Sequence, residues 1–439
     1  MLLVRRARVP IALLPASLAP VEIDPLEPAM LCDITIDGGR IASVHPTSVE
    51  ADGLPRAGDS RPELDAAGRL VFPGFIDAHV HLDKTHTWHR APNRSGTFLE
   101  ALQTLGRDKD NWSEADLLRR ADFALRCAWA HGTRAIRTHV DTGLPWAETS
   151  HAVMATLRDN WHGRITLQTV PLCGGDAYAS ADGEALADLA LRYGASALGG
   201  FLIMSDTLPR QIDRLLAIAR ERGVGIDLHV DENGNPAAEC LRLVAEAVIR
   251  NAFPHPVVCG HCCSLSVQST RRAKSTIALV REAGISVICL PLCNVYLQDR
   301  RSAQTGFPRS PYWRGLTMVH DLLDAGVKVA CASDNVRDAF YAFGDYDMAE
   351  VYTESIRLAH LDAGLAASVR VVTSTPADLM GLNHLGRIAP GSSAHLVLFP
   401  EQRFSELLSR PRGERTCIDG EDITSPDVPD YAELDGKFR

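Results

Sequence analysis

Between residues 70 and 335, short apolar runs alternate with longer stretches whose apolar residues recur every three to four positions. The runs at 70–77, 133–140, 164–171, 197–203, 225–230, 257–261, 285–292 and 327–333 predict eight strands, too uniformly apolar to leave one face in water. The stretches between them predict helices. Residues 208–222 show the helical period: Ile212, Leu215, Leu216 and Ala219 share a face, with Pro209 near the start and Gly223 at the end. Ser113, with Asp116 three residues on, predicts another helix start. Eight strand-then-helix units predict a closed parallel (β/α)8 barrel over residues 70–383, because crossover helices cover both sides of every strand. A doubly wound open sheet is the alternative.

Outside this stretch the pattern changes to short strands and tight turns. Residues 34–41 read as strand, Asp-Gly turn and strand, and residues 394–399 and 416–420 supply similar material near the other end. The predicted fold class is therefore α/β, a TIM barrel with a small β-sandwich made by both termini. Residues 1–69 form its first part, and residues 384–439 its second part and a tail. The last fifteen or so residues are polar and rich in Pro and Asp, and are expected to be loosely ordered.

Composition changes this picture little. A hydrophobic content of 46% over 439 residues is that of an ordinary globular protein, and the net charge of -10 disfavours a phosphate-backbone partner. No apolar run is long enough to span a bilayer. The start, Met1-Leu-Leu-Val-Arg-Arg, reads as a strand and not an export signal, since its arginines follow the first apolar residues and Pro10 and Pro15 interrupt the next run. Eleven cysteines, several inside apolar runs, fit reduced thiols in the cytoplasm better than a disulfide framework; Cys259 and Cys262 are expected to be structural. The expected setting is cytoplasmic, with no membrane and no nucleic acid. A homo-oligomer is left open.

Chemistry collects where the apolar runs stop. His79 and His81 end the first run, and residues two apart on a strand point to the same side. Arg137, His139 and Asp141 end the second, His229 and Glu232 the fifth, His261 the sixth and Asp334 the eighth. In a barrel the working residues sit at these C-terminal strand ends. His79, His81, His229 and Asp334 make a three-nitrogen, one-oxygen ligand set with room for a water, as in a catalytic metal site. Such an ion lowers the pKa of its water to ~7. Asp334 is then the expected general base, Glu232 the carrier of a proton to a substrate nitrogen, and His261 the stabiliser of the oxyanion.

The segments Pro73-Gly-Phe-Ile-Asp-Ala-His-Val-His-Leu-Asp83, Arg137-Thr-His-Val-Asp141, Asp227-Leu-His-Val-Asp-Glu232, Pro291-Leu-Cys-Asn-Val-Tyr-Leu-Gln298 and Ser333-Asp334 resemble the amidohydrolase superfamily, most closely its cytosine deaminase branch. Asp83-Lys84 and the segment 331–338 are also similar to N-isopropylammelide amidohydrolases. The resemblance implies one divalent metal ion, Fe2+ or Zn2+, on His79, His81, His229 and Asp334. It implies metal-hydroxide attack on a small nitrogen heterocycle, such as cytosine or a related aminopyrimidine, with loss of ammonia. The alternative within the superfamily is hydrolysis of a cyclic amide or an N-alkylamino-triazine.

Two positions depart from the cytosine deaminase pattern. Leu172 stands where that branch has a glutamine that pairs with the pyrimidine edge, and Asn335 where it has a second aspartate. A site that loses a bidentate partner changes its substrate sharply, which sets cytosine itself in question. No lysine in 197–203 is available to be carboxylated, which favours one metal over two. Phe340 and Trp88 are the candidates to stack on a flat ring. Arg300 and Arg301 read as solvated, and residues 294–317 as a segment that folds over the mouth.

Overall fold

The computed structural model describes residues 1–18, 22–47, 62–300, 309–410 and 413–435. It divides into two compact units. One comprises residues 1–76, 128–134 and 347–428, the other residues 77–127, 135–346 and 429–439.

The first unit is antiparallel β structure in the main. Leu2–Pro10 alternates buried and half-buried residues on either side of a break at Arg5–Arg6, where its register shifts and Arg6 turns outward. It pairs antiparallel with Ala29–Asp37 and parallel with Glu63–Asp65. The Asp-Gly turn closes a hairpin between Ala29–Asp37 and Arg40–Pro46, as its sequence predicts. A second sheet runs Asp422–Thr424, Thr416–Asp419, His395–Leu398, Val71–Pro73. Val4, Ile34 and Ile36 from the start of the chain share one buried core with Leu396 and Ile418 from its end.

The apolar run 70–77 is two strands, not one. Val71–Pro73 pairs antiparallel with His395–Leu398, and Phe75–Val80 begins after Gly74. A Cβ at Gly74 would stand 2.6 Å from Arg134 Cγ, so only glycine lets the chain change sheets there. Hydropathy alone does not see this break, because both halves are buried.

The strands that follow lie in two sheets. Phe75–Val80, Thr133–Asp141 and Thr166–Leu172 form one. Ala197–Phe201, Gly225–Val230, Val257–His261, Ser286–Cys289 and Val329–Cys331 form the other, neighbour to neighbour and all parallel. Parallel bridges join Gly174 to Phe201 and Val80 to Asp334. Helix Leu208–Glu221 lies where its periodicity places it, and Ser113 Oγ accepts the amide of Asp116 at the start of helix Glu114–Ala130. The seventh run is shorter than expected. Pro291 opens a helix, Pro291–Leu297, because a proline fits the first helical position, where no amide proton is needed.

All eleven cysteines are buried and free, Cys259 and Cys262 among them. No helix among the described residues is long and apolar enough to cross a membrane.

Candidate metal centre

The C-terminal ends of three strands bring four candidate ligand side chains to one point. His79 Nε2 lies 3.0 Å from His229 Nε2, which lies 3.2 Å from His81 Nε2. Asp334 Oδ1 is 3.2 Å from His81 Nε2 and 3.7 Å from His79 Nε2. His79 and His81 arrive by strand alternation. Asp334 arrives by a turn, its φ of 65° lying in the left-handed region while its amide donates to the His79 carbonyl at 2.9 Å. Burial, followed by the neighbouring positive groups, holds all three imidazoles well below the ordinary histidine pKa, so they are neutral. One neutral ring cannot donate a single Nε2 proton to two neighbours. The arrangement is one of converging lone pairs beside a buried carboxylate, and a divalent cation fits it.

A second group shares Asp334. Glu232 Oε1 lies 3.5 Å from His261 Nδ1, and their ligand atoms stand within 4.8 Å of one another and of the Asp334 carboxylate. Glu232 lies two residues beyond Gly225–Val230, and its backbone carbonyl accepts from Gln298 Nε2 at 3.2 Å. Burial and then the Asp334 charge push the Glu232 carboxyl well above its usual range, against the opposing pull of Lys84. His261 ends its own strand, with Nδ1 2.9 Å from Asn294 Nδ2 and its pKa lowered to about 3 by burial. Burial and Asp338 raise Asp334 to about 7.

His139 joins this centre without a role foreseen for it. Its ring centroid lies 4.2 Å from that of His79 and 4.6 Å from that of His229, and it completes a three-histidine set with them. The signal was in the sequence, since Arg137, His139 and Asp141 alternate on one strand face as His79 and His81 do. Lys84 also turns inward. It is buried, donates to Asp141 at 2.7 Å, and lies 5.9 Å from the ring centroid of Phe340.

The expected substrate contacts fall in different settings. Phe340 is buried and packs edge-on against Phe98. Trp88 is half-buried, its amide donating to the Arg337 carbonyl at 2.8 Å. Leu172 ends its strand opposite Asp141. The Asn335 amide is engaged within the protein, donating to Asp338 Oδ2 at 2.6 Å and accepting weakly from the Cys293 thiol at 3.9 Å. Arg300 is not simply solvated, for its guanidinium stacks over Tyr296 at 4.3 Å. Arg301 and the rest of residues 301–308, within the segment 294–317, lie outside the described residues.

A parallel α/β fold with imidazoles and a carboxylate gathered at its strand ends defines a class, the metal-dependent hydrolases. A family model, described as the amidohydrolase family, matches residues 63–139 and 180–415, and the chain belongs to that family. It is 42% identical to a pterin deaminase of Rhizobium rhizogenes over 412 residues, covering 93% of this chain and 91% of the other. It is 26% identical to the N-isopropylammelide isopropyl amidohydrolase of a Pseudomonas species over 382 residues, covering 83% and 86%. Among solved structures, a 5-methylcytosine deaminase from Klebsiella pneumoniae superposes with a TM-score of 0.82 at 24% identity, each chain covered to 98%. An N-isopropylammelide isopropylaminohydrolase from Burkholderia multivorans gives 0.75 at 25% identity, covering 97% of this chain and 98% of the other.

Proposed function

We propose that this chain is a deaminase for a small nitrogen heterocycle, and that a pterin is the substrate to test first. The observation that carries the reading is the convergence of His79, His81, His229 and Asp334 with the Glu232–His261 pair beside them. The 42% identity to a pterin deaminase directs the choice of ring. Pterins and cytosine share an amino group on an amidine-like carbon, so one chemistry serves both.

His79, His81, His229 and Asp334 would hold a single Fe2+ or Zn2+. When bound, such an ion supplies the Lewis acidity that makes a water molecule ionisable near neutral pH. Asp334 accepts the proton that water gives up. Glu232, kept protonated by its burial, passes a proton to a ring nitrogen and leaves the amino-bearing carbon electrophilic. His261, braced through Nδ1 by Asn294, presents Nε2 to the oxygen that the carbon gains. Asp334 returns its proton to the amino group, ammonia departs, and the proton left on the incoming oxygen passes to Glu232 as the carbonyl forms. Phe340 and Trp88 are proposed to stack on the ring, and Leu172 and Asn335 to shape the wall it rests against. Leu172 leaves the edge once paired by a glutamine unpaired, which favours a ring other than cytosine.

The architecture proposed with this function is a closed (β/α)8 barrel, supported by the bridges Gly174–Phe201 and Val80–Asp334 that link the two parallel sheets at both ends. A β-sandwich from both termini is supported by the core that residues 1–76 share with residues 388–418.

Ammonia release from pterin, cytosine, isoguanine and aminopyrimidines by the zinc- or iron-loaded protein tests the reading. We expect a kcat/KM for a pterin at least about tenfold above that for cytosine. Release of isopropylamine from N-isopropylammelide, with no ammonia from any aminoheterocycle, overturns it in favour of the triazine alternative.

A further inference from the structure

The segment beginning at Pro429 is not loosely ordered through its described residues. Tyr431 sits behind the two loops that leave the ligand strands. Its hydroxyl donates to the Asp345 carboxylate, and its ring lies under the Arg337 guanidinium at 3.9 Å. The same ring is 5.6 Å from Phe123 and 6.0 Å from His86. Two residues on, Glu433 accepts from Arg126 Nη2 at 2.6 Å, which ties the segment to helix Glu114–Ala130.

Those two loops need an outside hold. His86, in the loop after His81, and Arg337 and Tyr346, in the loop after Asp334, are all non-glycine residues with φ between 50° and 57°. A left-handed backbone is unfavourable for each of these side-chain-bearing residues and persists only where its surroundings over-determine it. The loops are laced to each other, since the Val336 carbonyl accepts from the His86 amide at 3.2 Å and from Thr85 Oγ1 at 3.0 Å. Lys84 of one loop meets Phe340 of the other. Their own bonds hold the loops together, and Tyr431, from a separate segment, contacts two of the strained residues, Arg337 and His86.

We infer that Tyr431 is a positioning residue, and that residues 429–435 form a strap setting the conformation of the loops 82–90 and 335–346 that wall the metal centre. The strap does not touch substrate. It offsets loop strain from outside, so that Lys84 and Phe340 stand in one arrangement before a ligand arrives.

Hydrogen exchange on the zinc-loaded full-length protein tests this without any substrate, and so stands apart from the deaminase reading. In Tyr431→Ala the amides of 335–346 should exchange roughly tenfold faster, while those of helix Leu208–Glu221 keep their rate. Tyr431→Phe keeps the ring under Arg337 and should recover most of the protection. It also serves as the test if the alanine variant does not fold, since losing the bond to Asp345 alone should still raise exchange a few-fold in that loop only. With an active substrate, Tyr431→Ala should raise KM about tenfold and change kcat by less than about twofold. Unchanged exchange in 335–346, or an equal rise in Leu208–Glu221, overturns the strap.

Discussion

Buried charge is handled in opposite ways at the Asp347 and Asp419 clusters of the first unit and at the candidate metal centre of the second. In the first, Asp347 accepts from Arg415 Nη2 at 2.6 Å and from the Ala349 amide at 2.9 Å, while Arg415 Nη1 reaches the His131 carbonyl at 2.9 Å. Asp419 is clasped by both ends of the Arg134 guanidinium, at 2.7 and 2.9 Å, and by His395 Nδ1 at 3.0 Å. In the second, His79, His81 and His261 bring ring nitrogens close to Asp334, and among the described residues neither ring nitrogen of the buried His139 has a hydrogen-bond partner. Buried polar groups that serve structure are saturated, because an unmade hydrogen bond costs about 1–3 kcal/mol. Groups left short of partners at such a cost mark the place where a ligand completes the set. The pKa directions agree. Burial opposes the Asp347 charge, but Arg415 and His131 outweigh it and hold the carboxyl below its ordinary range, whereas Asp334 is pushed up to about 7.

This contrast is best attacked by removing one member from each kind of cluster. The largest effect should come from His229→Ala. Bound metal, measured by inductively coupled plasma spectrometry, should fall far below one ion per chain, and turnover by roughly 10^4-fold or more. The metal-free protein should unfold at about the same denaturant concentration as metal-free wild type, since the lost imidazole stabilised nothing by itself. A marked loss of stability would make the cluster structural and erase the distinction. Next comes Glu232→Gln, which removes the proposed proton carrier and leaves the proposed ligands in place. Turnover should drop about 10^2- to 10^4-fold with metal content unchanged. Loss of the ion in that variant would move Glu232 among the ligands.

The smallest effect on activity, and the largest on stability, is expected of Arg415→Met. It strands the Asp347 carboxylate in a buried site and should cost about 3–5 kcal/mol in urea unfolding. Metal binding should persist. A near-neutral result would mean that the first unit tolerates unpaired charge as the second does.

Much of the proposed ligand set was legible in the chain because strand ends are local features. An apolar run followed by His79 and His81, by His229, by His261 or by Asp334 announces itself within a few residues. The break at Gly74 was not legible, for it depends on the Arg134 side chain 60 residues away in sequence. Nor was the commitment of the Asn335 amide to Asp338, which needs the turn of 335–346 to bring the two together. The tail misled for a related reason. Pro, Asp and Glu are poor at building a core, and nothing in their composition reveals that Arg337 and Asp345 await a tyrosine.

By itself, then, the sequence determined which residues could ligate and on which face of each strand they would stand, since alternation and burial follow from backbone geometry and hydropathy along the chain. Only the tertiary structure decided which of them meet. Placing His139 against His79, a left-handed turn under Asp334, and Tyr431 behind both loops requires contacts between residues tens to hundreds of positions apart. Such contacts depend on strand order and packing, which no local pattern encodes.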